Sequence, residues 1–338
     1  MSTTKEPHIS VILPFYNAEL TLERAVSSII NQTFQNFECI LIDNNSIDKS
    51  IDIALEYAAS DKRFKVIKEA KQGVVFASNR GESIARASYI CRMDADDWMF
   101  PERLEKQLEF LEQNREYDVV CGQADYVAHK KGRQGFKRYV SWVNSLQSYQ
   151  EISLQRFIES PVVNPTAMWK KDISQRYGAY RHGNFPEDYE LWLRWLSHGV
   201  KIAKLNQPLI KWYDSETRLT RTDSRYSIRA FYRIKSEYLA QWLTRNNPGH
   251  PKIWIWGASR ISRKRVEILR QYDIKIDAYI DISEKRQLDR EVIHYSDIPA
   301  AGKIFILIYI AHTDIRRRIK DFLDDKGYRE GHNYLFVS

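Results

Sequence analysis

Three carboxylates within four residues, in the run Asp94-Ala95-Asp96-Asp97, form the part of the sequence with the clearest chemical potential. Carboxylates this close together repel one another unless a positive charge lies among them. A hard divalent cation prefers oxygen ligands of this kind, and it is often held by one or two carboxylates together with substrate phosphates. The alternative is a solvated acidic turn, since acidic residues are common where a helix begins.

A second acidic pair, Glu187-Asp188, follows Pro186 at the start of a helix predicted for Asp188–His198. Proline and acidic residues in a first turn are ordinary helix-capping features, so the pair could be structural. A general base, however, requires a carboxylate within hydrogen-bond reach of an attacking hydroxyl, and this pair offers one. Both interpretations stay open on these residues alone.

The segments that would position these groups alternate between short apolar strands and helical patterns. Strands are predicted at His8–Pro14, Glu38–Asp43, Phe64–Lys68, Tyr89–Met93 and Asp118–Cys121, with helices at Leu20–Asn31, Asp48–Ser60, Gly73–Ala87 and Pro101–Asn114. This alternation predicts an α/β fold with a mostly parallel sheet and helices on both faces. Ligands of such sheets bind at the carboxyl ends of the strands, which favours the metal interpretation of residues 94–97.

A second, smaller unit is predicted after the turn-rich run from Asn246 to Pro251. Its strands and helices alternate as in a Rossmann-like domain, predicted over residues 251–338. The first turn, Gly257-Ala258-Ser259, lacks the later glycines of a dinucleotide-binding fingerprint, although Asp281 lies roughly where a ribose-binding acid would be. A structural or interaction module is therefore favoured over a nucleotide or small-ligand site.

Composition excludes several classes of protein. The chain has 338 residues, 43% of them hydrophobic, and its 52 Lys and Arg against 44 Asp and Glu give a formal charge of +8. This mild excess does not indicate a nucleic-acid partner. No apolar run approaches the roughly 20 residues of a membrane-spanning helix, and the first residues do not resemble a signal peptide. Three dispersed cysteines indicate buried thiols in a reducing compartment, and so a cytoplasmic protein.

Two basic stretches have no assigned role. Residues 130–138 are predicted to form a loop, and five arginines at intervals of three or four would share one face if their segment is helical: Arg218, Arg221, Arg225, Arg229 and Arg233. Aromatic residues lie between these arginines, in a connector predicted over residues 216–250. A solvated face, a diphosphate contact and peripheral contact with the inner face of the membrane all remain open.

Taken together, four runs resemble glycosyltransferase family two: Ile9–Asn17, Ser28–Phe34, Asp43–Asp48 and Asp94–Trp98 followed by Pro101. Their order and spacing match the family over roughly residues 8–125, and a weaker match continues through Asn164-Pro165-Thr166 and Glu187-Asp188 to about Tyr213. The resemblance implies a GT-A fold over residues 1–215, a nucleotide-diphosphate sugar donor, a Mn²⁺ or Mg²⁺ ion and inversion at the anomeric carbon.

The resemblance also implies roles for individual residues. Asp188 would be the catalytic base and Glu187 its partner, while Asp96 would hold the metal with support from Asp97. Donor-binding residues would be Pro14, Tyr16, Asp43, Asn44, Asn79 and Asp94. Three positions depart from the family pattern: Asn44 replaces a frequent second Asp, Ser78 a usual Arg, and Asn164 a frequent His.

The sequence therefore predicts an inverting, metal-dependent glycosyltransferase that uses a nucleotide sugar, with UDP favoured. Its acceptor would be a saccharide or lipid-linked saccharide in surface polysaccharide or glycoconjugate synthesis. A sugar-phosphate nucleotidyltransferase is the enzymatic alternative, but Pro14–Leu20 contains no glycine-rich phosphate loop. The alternative outside enzymes is a catalytically inactive nucleotide-sugar-binding module. The presence of Asp94, Asp96 and Asp188 argues against it.

Overall fold

The computed structural model describes residues 6–128, 134–214, 218–283 and 288–338. The chain forms two compact units: a first made of Met1–Ile152 and Pro161–Asp223, and a second made of Ser153–Ser160 and Ser224–Ser338. The boundary between Asp223 and Ser224 divides the segment 216–250, which was expected to be a connector. None of the helices in the described ranges combines the length and apolar character needed to cross a lipid bilayer.

The first unit contains an eight-stranded, mostly parallel sheet with the order β3-β2-β1-β4-β7-β6-β8-β5. Its strands are β1 (Ile9–Phe15), β2 (Phe37–Asp43), β3 (Phe64–Lys68), β4 (Tyr89–Arg92), β5 (Trp98–Met99), β6 (Val119–Val127), β7 (Met168–Lys170) and β8 (Ile202–Tyr213). Strands β3, β2, β1 and β4 run parallel, and β7 is antiparallel to β4 and β6. The predicted α/β class with a mostly parallel sheet is confirmed, whereas β7 and the 12-residue β8 were not predicted.

Helices cover both faces of this sheet. Along the chain they are α1 (Leu22–Ile30), α2 (Ser50–Ser60), α3 (Val74–Ile84), α4 (Arg103–Gln113), α5 (Gln134–Ser145), α6 (Tyr149–Gln155), α7 (Lys171–Tyr177), α8 (Glu187–Ser197) and α9 (Leu219–Thr222). Alternate strand residues point to opposite faces. One face packs Val11, Leu41 and Cys91 with α1, and the other packs residues such as Ile12 and Ile90 with α3 and α8.

The basic loop predicted for residues 130–138 is wrong where the structure describes it, because α5 begins at Gln134. Val140 and Val143 are buried at helical spacing and pack with Trp212 of β8, which stabilises a helix there. Residues 129–133 lie outside the described residues.

The second unit contains a five-stranded, all-parallel sheet with the order β11-β10-β9-β12-β13. Its elements in chain order are α10 (Ile228–Asn246), β9 (Lys252–Trp256), α11 (Arg260–Val266), β10 (Lys275–Asp281), β11 (Glu291–His294), β12 (Ile306–Ile308), α12 (Thr313–Asp325) and β13 (Tyr334–Phe336). The smaller Rossmann-like sheet is thus confirmed. The 19-residue helix α10 belongs to this unit because it buries Tyr232, Ile234, Tyr238 and Leu243 within it.

The arginines of the series were expected to share one helix face if their segment is helical, but the segment does not form one continuous helix. Helix α9 ends at Thr222, a 3-10 turn occupies Ser224–Tyr226, and α10 begins at Ile228 after the N-cap Ser227. Two breaks within the series therefore separate arginines that a continuous helix would align. The three cysteines are free and buried, as predicted.

Candidate active site

The carboxyl ends of three neighbouring strands place most of the predicted donor-binding residues at one edge of the first sheet. Strand β1 lies between β2 and β4, and its Phe15 pairs with Asp43 at the end of β2. Pro14 is buried at the end of β1, while Tyr16 directly after the strand is 51% exposed. The acidic run of residues 94–97 follows β4. This edge therefore combines an exposed aromatic ring with several carboxylates.

The acidic run forms a compact cluster. One carboxylate oxygen from each of Asp94, Asp96 and Asp97 lies within 4.8 Å of the others. Asp97 is fully buried, and its Oδ1 accepts a hydrogen bond from the Tyr213 amide at 3.0 Å. Its Oδ2 has no hydrogen-bond partner among the described residues. A buried carboxylate oxygen without a donor is costly, which indicates that a further group is needed at this position.

The charges around the cluster only partly compensate its carboxylates. Burial raises the pKa of Asp96, with the negative charge of Asp94 acting in the same direction. Burial and the charge of Asp96 raise the pKa of Asp97 well above its usual range. The positive charge of Arg218 opposes both increases, and Arg24 donates to the Asp96 carbonyl. The oxygen donor set, the mutual repulsion and the unpartnered Oδ2 all fit a hard divalent cation.

Two buried arginines lie next to this cluster, and the sequence interpretation missed both. Arg92 at the end of β4 forms a 2.6 Å ion pair with Asp94. Arg103, in the first turn of α4, donates to the Arg92 carbonyl at 2.9 Å and to Gln107 at 2.9 Å. Arg103 therefore ties α4 to the strand end that precedes the acidic cluster.

The predicted base Asp188 lies in the first turn of α8, after the N-cap Pro186. Its Oδ1 accepts a hydrogen bond from the Tyr189 amide at 2.7 Å, and the residue is half-buried. Burial, together with the negative charges of Glu187 and Asp94, raises the pKa of Asp188 to about 7. Helix α8 packs on the face of the sheet that carries Ile90 of β4, the strand whose end precedes the acidic run. A carboxylate with such a pKa suits proton transfer near neutral pH.

A buried ion pair fixes α8 to the segment that precedes it. Glu190 is fully buried and contacts Arg194 at 2.9 Å and Arg181 at 3.2 Å. The Arg194 guanidinium also donates to the carbonyls of Gly178 at 2.6 Å and Ala179 at 2.7 Å. The Glu190 and Arg194 positions, four residues apart, could have been recognised in the sequence as a helical ion pair, but their burial could not.

Asn44 and Asn79, both predicted to bind donor, use their side-chain amides within the protein. The Asn44 amide nitrogen donates to the carbonyls of Glu69 at 3.0 Å and Lys71 at 2.8 Å, and its Oδ1 accepts from the Gly73 amide at 2.7 Å. Asn79 donates to the Tyr180 carbonyl at 2.8 Å and accepts from the Tyr180 amide at 3.1 Å. Both side chains thus fix segments that border the site, and their contact with a donor stays a prediction.

The remaining predicted positions have simpler surroundings. The Asp43 carboxylate is 3% exposed, and its Oδ1 accepts from the Ser46 amide at 3.0 Å, which shapes the turn after β2. Asn164 accepts a hydrogen bond from the buried Tyr180 hydroxyl at 2.9 Å. In the second unit, the Asp281 carboxylate accepts from the backbone amides of Ala258 at 3.3 Å and Ile282 at 2.8 Å.

The chain is similar to known proteins in sequence and in fold. Residues 10–178 match the family described as glycosyl transferase family 2. The putative glycosyltransferase EpsE of Bacillus subtilis (strain 168) is 34% identical over 227 residues, which cover 66% of this chain and 78% of EpsE. The O-antigen biosynthesis glycosyltransferase WbnJ of Escherichia coli is 29% identical over 238 residues, covering 70% of this chain and 89% of WbnJ.

Among solved structures, S. aureus TarS 1-349 in complex with UDP-GlcNAc superposes with a TM-score of 0.54 at 16% identity, over 78% of this chain and 71% of TarS 1-349. This likeness concerns the fold. The family match covers half of the chain and includes the acidic run of residues 94–97, whereas Glu187 and Asp188 of α8 follow the matched residues. The chain is a glycosyltransferase and belongs to glycosyl transferase family 2.

Proposed function

We propose that this enzyme transfers a sugar with inversion from a nucleotide-diphosphate sugar, with UDP as the favoured nucleotide, to an acceptor hydroxyl. The observation that carries the proposal is a half-buried carboxylate, Asp188, on a helix packed against the sheet whose edge carries an acidic cluster of only partly compensated charge. The UDP-GlcNAc complex of TarS, a structure of similar fold, supports the choice of donor class.

The acidic cluster would hold Mn²⁺ or Mg²⁺ through Asp96 and Asp97. When bound, such an ion cancels negative charge that develops on a leaving diphosphate. The protein's own residues keep the carboxylates in place: the Tyr213 amide fixes Asp97 and the Arg92 guanidinium fixes Asp94. The identity of the ion stays a prediction.

Asp188 would accept the proton of the acceptor hydroxyl as that hydroxyl forms a bond to the anomeric carbon. The glycosidic bond to the diphosphate breaks on the opposite face of the sugar, so a single displacement inverts the configuration. The transition state is oxocarbenium-like, as in glycoside hydrolysis. The Tyr189 amide orients the Asp188 carboxylate, and Glu187 beside it favours the protonated form that results. No nucleophile from the protein is required, which agrees with the burial of all three cysteines.

We further propose an acceptor in surface polysaccharide or glycoconjugate synthesis, supplied as a saccharide or lipid-linked saccharide. The name of the relative WbnJ, an O-antigen biosynthesis glycosyltransferase, supports this class. The predicted location in the cytoplasm, with peripheral contact at the inner face of the membrane, stays a prediction.

A panel of nucleotide sugars tests the proposed function. Purified protein with Mn²⁺ is assayed against UDP-glucose, UDP-GlcNAc and GDP-mannose for binding and for slow donor hydrolysis. We expect at least one donor to bind and hydrolyse, with loss of hydrolysis on chelation of the metal. If no donor binds, or if hydrolysis continues unchanged without a divalent ion, the proposal is wrong.

A further inference from the structure

The Arg92 side chain is a buried cation with unused hydrogen-bonding capacity. The residue is 3% exposed at the end of β4, where strand alternation puts it on the same face as Ile90, the face covered by α3 and α8. Its Nη2 contacts Asp94 Oδ1 at 2.6 Å. Its Nε and Nη1 are buried and have no hydrogen-bond partner among the described residues.

Arg103 is buried to nearly the same extent as Arg92, but protein acceptors satisfy its guanidinium. It is fully buried, and its guanidinium donates to the Gln107 side chain at 2.9 Å and to the carbonyls of Arg92 at 2.9 Å and Ala167 at 3.3 Å. Buried donors are normally satisfied in this way, because an unsatisfied one loses its hydration without compensation. The free N–H groups of Arg92 therefore point to a ligand that supplies oxygen acceptors.

The surroundings of Arg92 indicate which part of a donor would meet it. Its ion-pair partner Asp94 contributes one oxygen to the acidic cluster and also acts electrostatically on Asp188. The pair therefore borders the cluster proposed to hold the diphosphate, and its charge acts on the carboxylate proposed to deprotonate the acceptor hydroxyl. In the proposed reaction, the transferred sugar is the group that lies between the diphosphate and the acceptor hydroxyl.

We propose that Arg92 and Asp94 together bind a hydroxyl of the transferred sugar, an inference that rests on the proposed function. The free N–H groups of Arg92 donate to the hydroxyl oxygen, while the Asp94 carboxylate accepts the hydroxyl hydrogen. Because the two opposite charges compensate each other, the pair suits a neutral hydroxyl better than a carboxylate or phosphate. Arg92 is then a specificity-determining residue of the donor site.

Binding of a nucleoside diphosphate with and without its sugar tests this assignment. The affinities of UDP and UDP-GlcNAc, and of GDP and GDP-mannose, are measured with Mn²⁺ for the wild type and for Arg92→Gln. Because Arg92 also fixes Asp94 of the acidic cluster, the variant can lose affinity for the diphosphate as well. We expect its affinity for the sugar conjugate to fall roughly tenfold or more beyond any loss that the diphosphate shares. Arg92→Lys keeps the charge beside Asp94 but lacks the planar set of donors, so it should show a smaller loss of the same kind.

Arg103→Gln is the matched control. It removes an equally buried guanidinium that has its own protein partners, so any loss of affinity should be shared equally by the diphosphate and the sugar conjugate. An equal loss for both ligands in Arg92→Gln, or no loss for either, would overturn the inference.

A second measurement needs only the wild type. Among the monodeoxy analogues of the best donor, removal of one hydroxyl should weaken binding roughly tenfold or more, because it leaves the Nε and Nη1 groups of Arg92 again without an acceptor. If every analogue binds like the parent donor, the inference fails while the proposed function stands. If the wild type binds no nucleotide sugar, the proposed function fails and this inference fails with it.

Discussion

The two units each present the carboxyl edge of a parallel sheet, but they treat the polar groups there differently. In the second unit, backbone amides satisfy the Asp281 carboxylate, Ser259 Oγ accepts from the Ser262 amide at 3.1 Å, and Ser262 Oγ donates to the Tyr309 carbonyl at 3.2 Å. In the first unit, Asp97 keeps a buried oxygen without a donor and Asp188 has a raised pKa. Position at a strand end is therefore not enough to define a site. The edge suited to a ligand is the one whose buried carboxylates lack hydrogen-bond donors or compensating charge.

The largest effect is expected for Asp96→Ala. Loss of this carboxylate weakens the hold on the cation, so transfer or donor hydrolysis should fall by roughly 10³-fold or more. Rates are compared at the donor and Mn²⁺ concentrations that saturate the wild type. The control is Asp281→Asn at the edge of the other sheet, which should leave the rate within about twofold. Equal losses of rate in Asp96→Ala and Asp281→Asn would contradict the claim that only the edge of the first sheet takes part in transfer.

Asp188→Asn should reduce transfer by about 10²–10⁴-fold, since the amide cannot accept the acceptor proton. Donor affinity should stay unchanged, because the proposed role of Asp188 is on the acceptor side. Asp172→Asn is a matched control, as Asp172 also lies in a first helical turn but contacts only exposed Arg176 in the described structure. Retained transfer in Asp188→Asn would assign the base to another residue.

The pH dependence of the enzyme should reflect the raised pKa of Asp188. Transfer requires the ionised carboxylate, so the rate should rise with pH through about 7.

The free energy of unfolding should change with pH in the opposite direction. Between about pH 4 and 7 the folded state binds more protons than the unfolded state, because Asp188 is protonated only in the folded state. The free energy of unfolding therefore falls as pH rises across that window. Thermal unfolding at pH 5 and 8, without divalent ions, should show a smaller decrease for Asp188→Asn than for the wild type. An identical decrease would contradict the assignment.

Asn44→Asp should lower the free energy of unfolding by about 1–3 kcal/mol. The substitution replaces an amide that donates to the Glu69 and Lys71 carbonyls with a carboxylate that repels them. Asn45→Asp, at the exposed neighbouring position, should have a smaller effect. Asn45 also donates to this segment, at the Ala70 carbonyl, but through an exposed amide. Denaturant unfolding compares each variant with the wild type, and wild-type stability of Asn44→Asp would show that Asn44 does not fix the 69–73 segment.

The sequence was sufficient to predict the α/β class, the smaller second sheet and the placement of the acidic run after a strand. The alternation of apolar strands with helical patterns predicts the fold class, and the residues that follow each strand can be identified from nearby sequence alone. Arg92 and Arg103 were missed because a charged residue in or next to an apolar run does not reveal its burial or its partners. The roles of Asn44 and Asn79 depend on backbone segments 25 to 101 residues away in the chain, which spacing cannot indicate. The arginines would share a face only on a continuous helix, and their intervals of three and four residues do not reveal the two breaks in helical structure.

The coupling between Mn²⁺ and UDP binding tests most directly whether the acidic edge holds a metal that fixes the donor diphosphate. Titrations of wild type and Asp96→Ala with Mn²⁺, each with and without UDP, provide the four affinities required. We expect UDP to strengthen Mn²⁺ binding to the wild type, Mn²⁺ to strengthen UDP binding by the same factor, and both effects to be lost in Asp96→Ala. Equal UDP affinity with and without Mn²⁺, or unchanged coupling in Asp96→Ala, would contradict the account.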